Sequence, residues 1–193
     1  MKSTMKIIQI SMILFFSFAN YGFSSELTDK QRQEIANLSD DIFNAPNFSL
    51  YSVNDSLYTL DSLKGNVILL NFWATWCGPC RMEIPDFNEL YLENKDDGFI
   101  ILGISTSDTK EILKNFLKSY KVEYPILYGS PTEVNKVSND YGGIMALPTS
   151  VLIGRDAQII RIYPGAILKD YSKDMYSAFI YDLKIALKEE IKN

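Results

Sequence analysis

The chain has 193 residues, of which 47% are hydrophobic and 22% are charged, as is usual for a globular protein with one domain of about 150 residues and additional segments. Its formal net charge of −5 argues against nucleic acid or an anionic membrane surface as a partner. It contains no histidine, which excludes Ser/His and Cys/His catalytic pairs and histidine metal ligands.

The first 24 residues are predicted to be a secretory signal peptide. Lys2 and Lys6 precede an apolar run over residues 7–19, and small residues follow that run. This is the order that a secretory signal requires. Cleavage after Ala19 or Ser24 fits this pattern. An uncleaved membrane anchor is the alternative, although the run is shorter than the roughly 20 residues that a span needs. We therefore expect an exported, periplasmic protein, either soluble after cleavage or anchored so that it faces the periplasm.

Residues 25–45 are predicted to be a polar helical spacer in front of the domain. Thr28 and Gln31 have the spacing of a capping box. Apolar residues then recur at helical intervals, at Ile35, Leu38 and Ile42. The domain itself is predicted to span residues 46–190.

Apolar runs predict that the domain begins with a β-hairpin and continues with a βαβ unit. Residues 48–51 and 57–60 flank a polar turn and predict the hairpin. Residues 67–72 and 99–104 predict two buried strands, and a helical pattern over 81–94 lies between them. Because a helical crossover joins strands of the same direction, these two strands should be parallel.

The segment after the βαβ unit is predicted to be a helix that begins at Asp108. Ile112, Phe116 and Leu117 have the spacing of its buried side. A short strand over residues 124–128 is expected to follow.

The last third of the chain predicts a capped helix, a hairpin and a terminal helix. Ser130 and Glu133 have the spacing of a capping box. Residues 149–153 and 158–163 flank a polar turn and predict a second hairpin. Apolar residues recur every fourth position over 171–187, so this stretch predicts an amphipathic helix packed on the sheet.

Cys77 and Cys80 are the two cysteines of the chain, and they lie between the first buried strand and the helix after it. Helical residues three apart lie about 5–6 Å apart at Cβ, and a disulfide needs Cα atoms roughly 4.4–6.8 Å apart, so the pair can close a bond. A helix N-terminus favours an anion and lowers a cysteine pKa from about 8.5 to about 3.5–7.5. The pattern favours a redox dithiol. The alternatives are a structural disulfide and half of a zinc site. Most structural disulfides close longer loops, which disfavours the first alternative. The chain has no histidine that could complete a zinc site, which disfavours the second.

Three motifs of this sequence resemble the thioredoxin superfamily. They are the run Trp76-Cys77-Gly78-Pro79-Cys80, Pro85 in the following helix, and Leu147-Pro148-Thr149. Residues 63–67, leading into 71–75, resemble more specifically the TlpA/ResA-type branch of exported thiol–disulfide oxidoreductases. The resemblance covers roughly residues 46–190. It implies an α/β, thioredoxin-like fold: a central mixed β-sheet flanked by helices, with an N-terminal β-hairpin and a strand–helix insertion.

The resemblance also implies roles for the pair and its surroundings. Cys77, at the exposed end of the helix, would attack a target disulfide, and the more buried Cys80 would resolve the mixed disulfide. Pro148 would be the family's cis-proline, whose loop faces the pair and binds extended substrate; an ordinary strand-entry proline is the alternative. The predicted substrate-binding residues are Trp76, Gly78, Pro79, Leu147 and Pro148.

Glu83 has two interpretations. TlpA/ResA-type proteins often have an acid near the pair, and a buried carboxyl with a raised pKa could carry the proton of Cys80. Alternatively, an acid in the first turn of a helix gains from the dipole whatever its function. Asn71 stands where thioredoxins proper have a buried acid, and an amide cannot relay protons. Any such relay would therefore fall to Glu83 or to water.

The sequence predicts a thiol–disulfide oxidoreductase that reduces protein disulfides and needs no metal or other cofactor. Gly78-Pro79 resembles thioredoxin, whose potential is near −270 mV, whereas strong oxidants near −120 mV carry a histidine between the cysteines. The family implies apocytochrome c or copper-centre assembly factors as substrates, and a membrane thiol-reducing protein as electron donor. An oxidase or isomerase using the same pair, and a non-catalytic Cu(I)-handling module, remain alternative functions.

Overall fold

The computed structural model describes residues 44–188 of the chain. The predicted signal peptide over 1–24 and nearly all of the predicted spacer over 25–45 lie outside the described residues. Among residues 44–188, none of the helices combines the length and the hydrophobicity that crossing a bilayer would require.

The described domain is built on one mixed sheet of seven strands in the order β2-β1-β5-β4-β3-β6-β7. The strands are β1 Ser49–Ser52, β2 Leu57–Thr59, β3 Val67–Trp73, β4 Phe99–Ser105, β5 Ile126–Tyr128, β6 Thr149–Ile153 and β7 Ile159–Pro164. Strands β3, β4 and β5 run parallel to one another. The hairpins β1–β2 and β6–β7 are antiparallel and close the two edges of the sheet, as the sequence predicts.

Strand β3 lies in the middle of the domain because its side chains are apolar on both faces of the sheet. All seven of its residues are buried. Val67 and Leu69 belong to one hydrophobic cluster, and Ile68, Leu70 and Phe72 belong to another. This alternation is the two-residue period of a strand, so β3 separates two layers of packing.

Four helices cover the two faces of the sheet. They are α1 Gly78–Asn94, α2 Lys110–Leu117, α3 Pro131–Asp140 and α4 Lys173–Lys188. Phe87 of α1, Leu113 of α2 and Phe179 of α4 pack in the same cluster as Leu69, whereas Val134 of α3 packs in the opposite one. The architecture confirms the α/β, thioredoxin-like fold, including the hairpin before β3 and the strand–helix insertion of β5 and α3.

The N-caps of α3 and α2 show one local sequence signal that is confirmed and one that is not. Ser130 caps α3 through a capping box with Glu133, as predicted. The prediction that Asp108 begins α2 was wrong: Thr109 is the N-cap, and its side chain accepts the Ile112 N–H. Asp108 is not free for that role because its carboxylate accepts hydrogen bonds from Thr75, in the segment before α1.

Two predictions of buried helical positions were also wrong. Ile112 is 46% exposed, whereas its neighbour Leu113 is fully buried. The apolar spacing is compatible with either residue, and Leu113 is the one that packs in the same cluster as Leu69 of β3. Tyr171 precedes α4 and is exposed, whereas Phe179 and Leu183 of the same predicted stripe are buried.

Candidate active site

The site lies at the edge of the sheet where β3 ends and α1 begins. Phe72, one residue before the end of β3, pairs with Thr149 at the start of the antiparallel strand β6. This register brings the residues just before Thr149 to the edge from which the Cys77–Cys80 segment emerges. The structure therefore brings the CxxC pair and Pro148 together, as the resemblance implies.

Cys77 and Cys80 form a disulfide with a Cα–Cα distance of 5.3 Å, within the range that the spacing predicts. Cys77 is the N-cap of α1, with an extended backbone (φ −78°, ψ 110°), and its sulfur accepts the backbone N–H of Cys80 at 3.3 Å. A thiolate at this position would face unpaired N–H groups and the positive end of the helix dipole. The site is therefore suited to hold negative charge on Cys77 when the disulfide is reduced.

The expectation that Cys77 is exposed was wrong for the disulfide form. Cys77 is 5% exposed and Cys80 is 2% exposed, and both pack in the cluster that contains Phe87. The solvent side of the pair is bordered by neighbours that are open: Trp76 is 68% exposed, and a side chain at Gly78 would meet no atom within 4 Å. A substrate would thus approach across the Trp76–Pro79 segment.

A loop at the end of β4 holds the segment that precedes Cys77. The Asp108 carboxylate accepts the Thr75 N–H at 2.8 Å and the Thr75 hydroxyl at 2.6 Å. It also accepts the Ser105 hydroxyl at 2.8 Å. The Trp76 indole N–H donates to the Ser107 hydroxyl at 3.0 Å. These contacts fix the two residues immediately before Cys77.

Sequence reasoning missed Asp108 and Ser107 as members of the site. An acid before a helical pattern predicts a cap, and nothing in the local sequence distinguishes that role from a contact with Thr75. The available signal was topological: Asp108 follows β4, which pairs in parallel with β3, so both loops emerge at the same edge of the sheet.

The Leu147–Pro148 peptide bond is cis. The carbonyl oxygen of Pro148 accepts the N–H of Gly165 at 2.9 Å. Gly165 has φ +104°, a conformation that residues with a Cβ rarely adopt. The loop after β7 therefore holds the backbone of the Leu147–Pro148 loop in place.

Glu83 is a buried acid inside α1, with 1% of its surface exposed. One carboxylate oxygen accepts the Ile167 N–H at 2.7 Å, and the other lies 3.4 Å from the amide nitrogen of Asn71. Asn71 also donates to the Ser150 hydroxyl at 3.0 Å. Burial raises the pKa of Glu83 to about 8, although the hydrogen bonds from Ile167 and Asn71 act in the opposite direction.

These facts bear on the two interpretations of Glu83. The first turn of α1 contains no acid, so Glu83 lies beyond the turn where the dipole would favour a carboxylate. Its position three residues after Cys80 places the two Cβ atoms about 5–6 Å apart on one face of the helix. A buried carboxyl that titrates near neutrality beside a redox thiol fits the proton-carrying interpretation.

No group of three or more Cys, Asp or Glu side chains that could hold a metal ion occurs within residues 44–188.

Replacing Glu83 by Gln should change how the stability of the oxidised protein depends on pH. The folded-state pKa of Glu83 is raised from 4.5 to about 8, so between these values the folded protein keeps a proton that the unfolded chain has released. The free energy of unfolding of the wild type should therefore fall relative to that of Glu83→Gln as pH rises through this window, and level off above it. Urea unfolding across the window measures this difference.

Glu93→Gln is the matched control for Glu83→Gln, because it makes the same substitution in the same helix at an exposed position and leaves the buried carboxyl in place. The stability of Glu93→Gln should fall over this pH window as that of the wild type does. Parallel profiles for Glu83→Gln would show that Glu83 does not carry a raised pKa.

Comparison with known proteins agrees with this geometry. Residues 43–162 match the model of the AhpC/TSA family. The thiol–disulfide oxidoreductase ResA of Bacillus thuringiensis subsp. konkukian is 36% identical over 126 residues, which are 65% of this chain and 70% of the relative. ResA of Bacillus anthracis is 31% identical over 173 residues, which are 88% of this chain and 94% of the relative.

A solved structure supports the same assignment. The crystal structure of a putative thiol:disulfide interchange protein DsbE from Chlorobium tepidum superposes with a TM-score of 0.66 and 27% sequence identity, covering 75% of this chain and 96% of that one. The match includes the part of the chain that carries the redox pair. The chain belongs to the AhpC/TSA family and, with its Cys77–Cys80 pair, is a thioredoxin-like thiol–disulfide oxidoreductase similar to ResA.

Proposed function

We propose that the protein is exported and reduces disulfide bonds in other proteins. The observation that carries this proposal is the position of Cys77 at the N-cap of α1, where its sulfur accepts the Cys80 N–H. A thiolate held there is a nucleophile at neutral pH. The exposed Trp76 and the open space at Gly78 leave an approach for a polypeptide.

The reaction transfers two electrons in two exchange steps. The Cys77 thiolate attacks one sulfur of the target disulfide, which forms a mixed disulfide and releases the other target sulfur as a thiolate. Cys80 then loses its proton and attacks the Cys77 sulfur, which releases the second target thiolate. The target gains two electrons, its two thiolates take up protons from solvent, and the protein ends with the Cys77–Cys80 disulfide.

We assign the proton of Cys80 to Glu83. Ionised Glu83 would accept that proton as Cys80 attacks, and protonated Glu83 would return it in the reverse direction. The pKa of about 8 leaves both protonation states accessible near neutrality, which is what a general acid–base group requires. Asn71 contributes an amide contact and cannot itself carry the proton.

Sequence features support the proposed direction and location, and the resemblance to the TlpA/ResA-type branch supports the proposed substrates and donor. Gly78-Pro79 between the cysteines resembles thioredoxin and favours reduction. Lys2, Lys6 and the apolar run over 7–19 support export. In an exported protein the disulfide must be reduced again by an external dithiol, for which a membrane thiol-reducing protein is the proposed donor. Apocytochrome c and copper-centre assembly factors are the proposed substrates.

Cys80→Ser should accumulate mixed disulfides with target proteins in the native compartment, because the second step is blocked after Cys77 has reacted. Non-reducing electrophoresis followed by identification of the trapped proteins measures this outcome and names the substrates. Cys77→Ser is the matched control and should trap little, because Cys80 lies inside α1 and not at its N-cap, where a thiolate is stabilised. Equal trapping by Cys77→Ser would contradict the assignment of the nucleophile.

The reduction potential separates a reductase from an oxidase that uses the same pair. Equilibration with glutathione buffers should give a potential below about −180 mV, closer to the roughly −270 mV of thioredoxin. A potential above about −180 mV would favour the oxidase or isomerase function.

Glu83→Gln should slow the second exchange step by roughly 100-fold, the lower end of typical general acid–base contributions. The step is measured as decay of a preformed mixed disulfide on Cys77. Glu93→Gln, the same substitution at an exposed position of α1, should leave the rate unchanged. If Glu83→Gln slows the step by less than about twofold, Glu83 only ties α1 to the Ile167 loop and carries no proton.

A further inference from the structure

Ser150 is fully buried in β6, a strand in which every residue is buried. It lies directly opposite Asn71 of β3 in the antiparallel ladder, so the two side chains share one face of the sheet, with Cβ atoms about 4.5–5.5 Å apart. Helix α1 covers this face, because Leu69, two residues before Asn71, packs in the same cluster as Phe87 of α1. Ser150 therefore lies beneath the helix that carries the redox pair and Glu83.

The side-chain amide of Asn71 links Ser150 to Glu83. Its nitrogen donates to the Ser150 hydroxyl at 3.0 Å and lies 3.4 Å from a carboxylate oxygen of Glu83. Each of the three residues is at most 3% exposed, so these contacts are shielded from water. An amide nitrogen carries two hydrogens, one for each of these two oxygen atoms. The shorter contact, with Ser150, thus holds the amide in the orientation that presents an N–H to the carboxylate.

The Ser150 hydroxyl is not needed to pair the two strands. The backbones of β3 and β6 are already paired from Ile68 to Phe72, and an apolar side chain at position 150 would avoid the cost of burying a hydroxyl. Tyr163, which lies opposite Ser150 on β7, donates its own hydroxyl to Asp182 at 2.6 Å. The hydrogen bond from the neighbouring amide therefore accounts for a hydroxyl at this position.

The surroundings of Glu83 make this amide contact important. Burial raises the pKa of Glu83, and the negative charge of Asp86 on the same helix acts in the same direction. The hydrogen bonds from the Ile167 N–H and the Asn71 amide lower it. Tyr124, in the segment before β5, stays neutral, because its own burial and the nearby Glu83 raise its pKa. The amide is thus a neutral donor that favours the ionised carboxylate.

We propose that Ser150 is a positioning residue for proton transfer at the redox site. Its hydroxyl holds the Asn71 amide with an N–H toward Glu83, and this contact stabilises the carboxylate that accepts the Cys80 proton. In that step the Cys80 sulfur bonds to the Cys77 sulfur, and the target sulfur leaves with the electron pair of the broken bond. The proposal rests on the proposed function, because it assumes that Glu83 accepts this proton.

Ser150→Thr and Ser150→Val form a matched pair for the test, because Thr and Val have nearly the same shape and differ in the hydroxyl. The NMR signal of the Glu83 carboxyl carbon is followed against pH in the oxidised protein, in which Cys77 and Cys80 form the disulfide, and Glu83→Gln identifies that signal. Ser150→Thr should titrate as the wild type does. Ser150→Val should raise the pKa of Glu83 by about one pH unit, since a hydrogen bond to its ionised form is weakened.

Two controls separate positioning from a loss of packing. In an Asn71→Ala background, Ser150→Thr and Ser150→Val should give the same Glu83 titration, because the amide through which Ser150 acts is gone. Ser52→Ala removes another buried hydroxyl, which accepts the Ser56 N–H at 3.2 Å, and it should leave the Glu83 titration unchanged. Ser150→Ala should reproduce the result of Ser150→Val without adding volume to the core.

The rate of the second exchange step should follow the titration. Below the wild-type pKa of Glu83, a rise of about one pH unit in this pKa reduces the ionised fraction about tenfold. A preformed mixed disulfide on Cys77 should therefore decay up to about tenfold more slowly in Ser150→Val than in Ser150→Thr. Well above this pKa the two rates should converge, which a merely structural defect would not produce.

Three results would overturn the proposal. The first is an equal Glu83 titration in Ser150→Thr and Ser150→Val. The second is a lower pKa of Glu83 in Ser150→Val, which would show that the freed Asn71 amide binds the carboxylate more tightly. The third is a rate ratio that stays constant with pH. A second exchange step as fast in Glu83→Gln as in the wild type would instead contradict the proposed function of Glu83, so the two failures are distinguishable.

Discussion

The hydrogen bond from the Cys80 N–H to the Cys77 sulfur is the contact on which the chemistry of this protein depends. It exists because α1 begins immediately after Cys77, and α1 begins there because β3 ends at Trp73, buried on both faces. The sheet thus fixes where the helix starts, and the helix start fixes which sulfur meets the free N–H groups. Asp108 and Ser107, in the loop after β4, form hydrogen bonds with Thr75 and Trp76. These bonds hold the segment between β3 and α1 in one position.

A second set of contacts ties the two halves of the site together through the loop after β7. The Gly165 N–H binds the carbonyl of Pro148, and the Ile167 N–H binds the carboxylate of Glu83. One loop therefore supports both the cis-proline and the acid next to Cys80. Because burying a carboxyl is costly when it is ionised, Glu83 keeps its proton to a higher pH than an exposed acid would. The proposed proton carrier and the proposed substrate-binding proline thus rely on the same backbone segment.

Sequence alone was sufficient where the signal is local or where a motif is specific. The apolar runs predicted β3 and β4, the spacing of Cys77 and Cys80 predicted a disulfide, and Leu147-Pro148 predicted a cis bond through the resemblance. It failed where the outcome depends on residues far along the chain. The role of Asp108 depends on the parallel pairing of β3 and β4, and the burial of Leu113 in place of Ile112 depends on how α2 packs on the sheet. The burial of Cys77 likewise follows from packing that no single segment encodes.

The thiol pKa values of the reduced protein test the central claim most directly. Cys80→Ser and Cys77→Ser each leave one thiol, whose ionisation is followed by thiolate absorbance as pH is raised. We expect the pKa of Cys77, at the N-cap of α1, to lie below the roughly 8.5 of a free cysteine, and the pKa of Cys80, inside α1, to lie above it. A pKa of Cys77 equal to or above that of Cys80 would contradict the account.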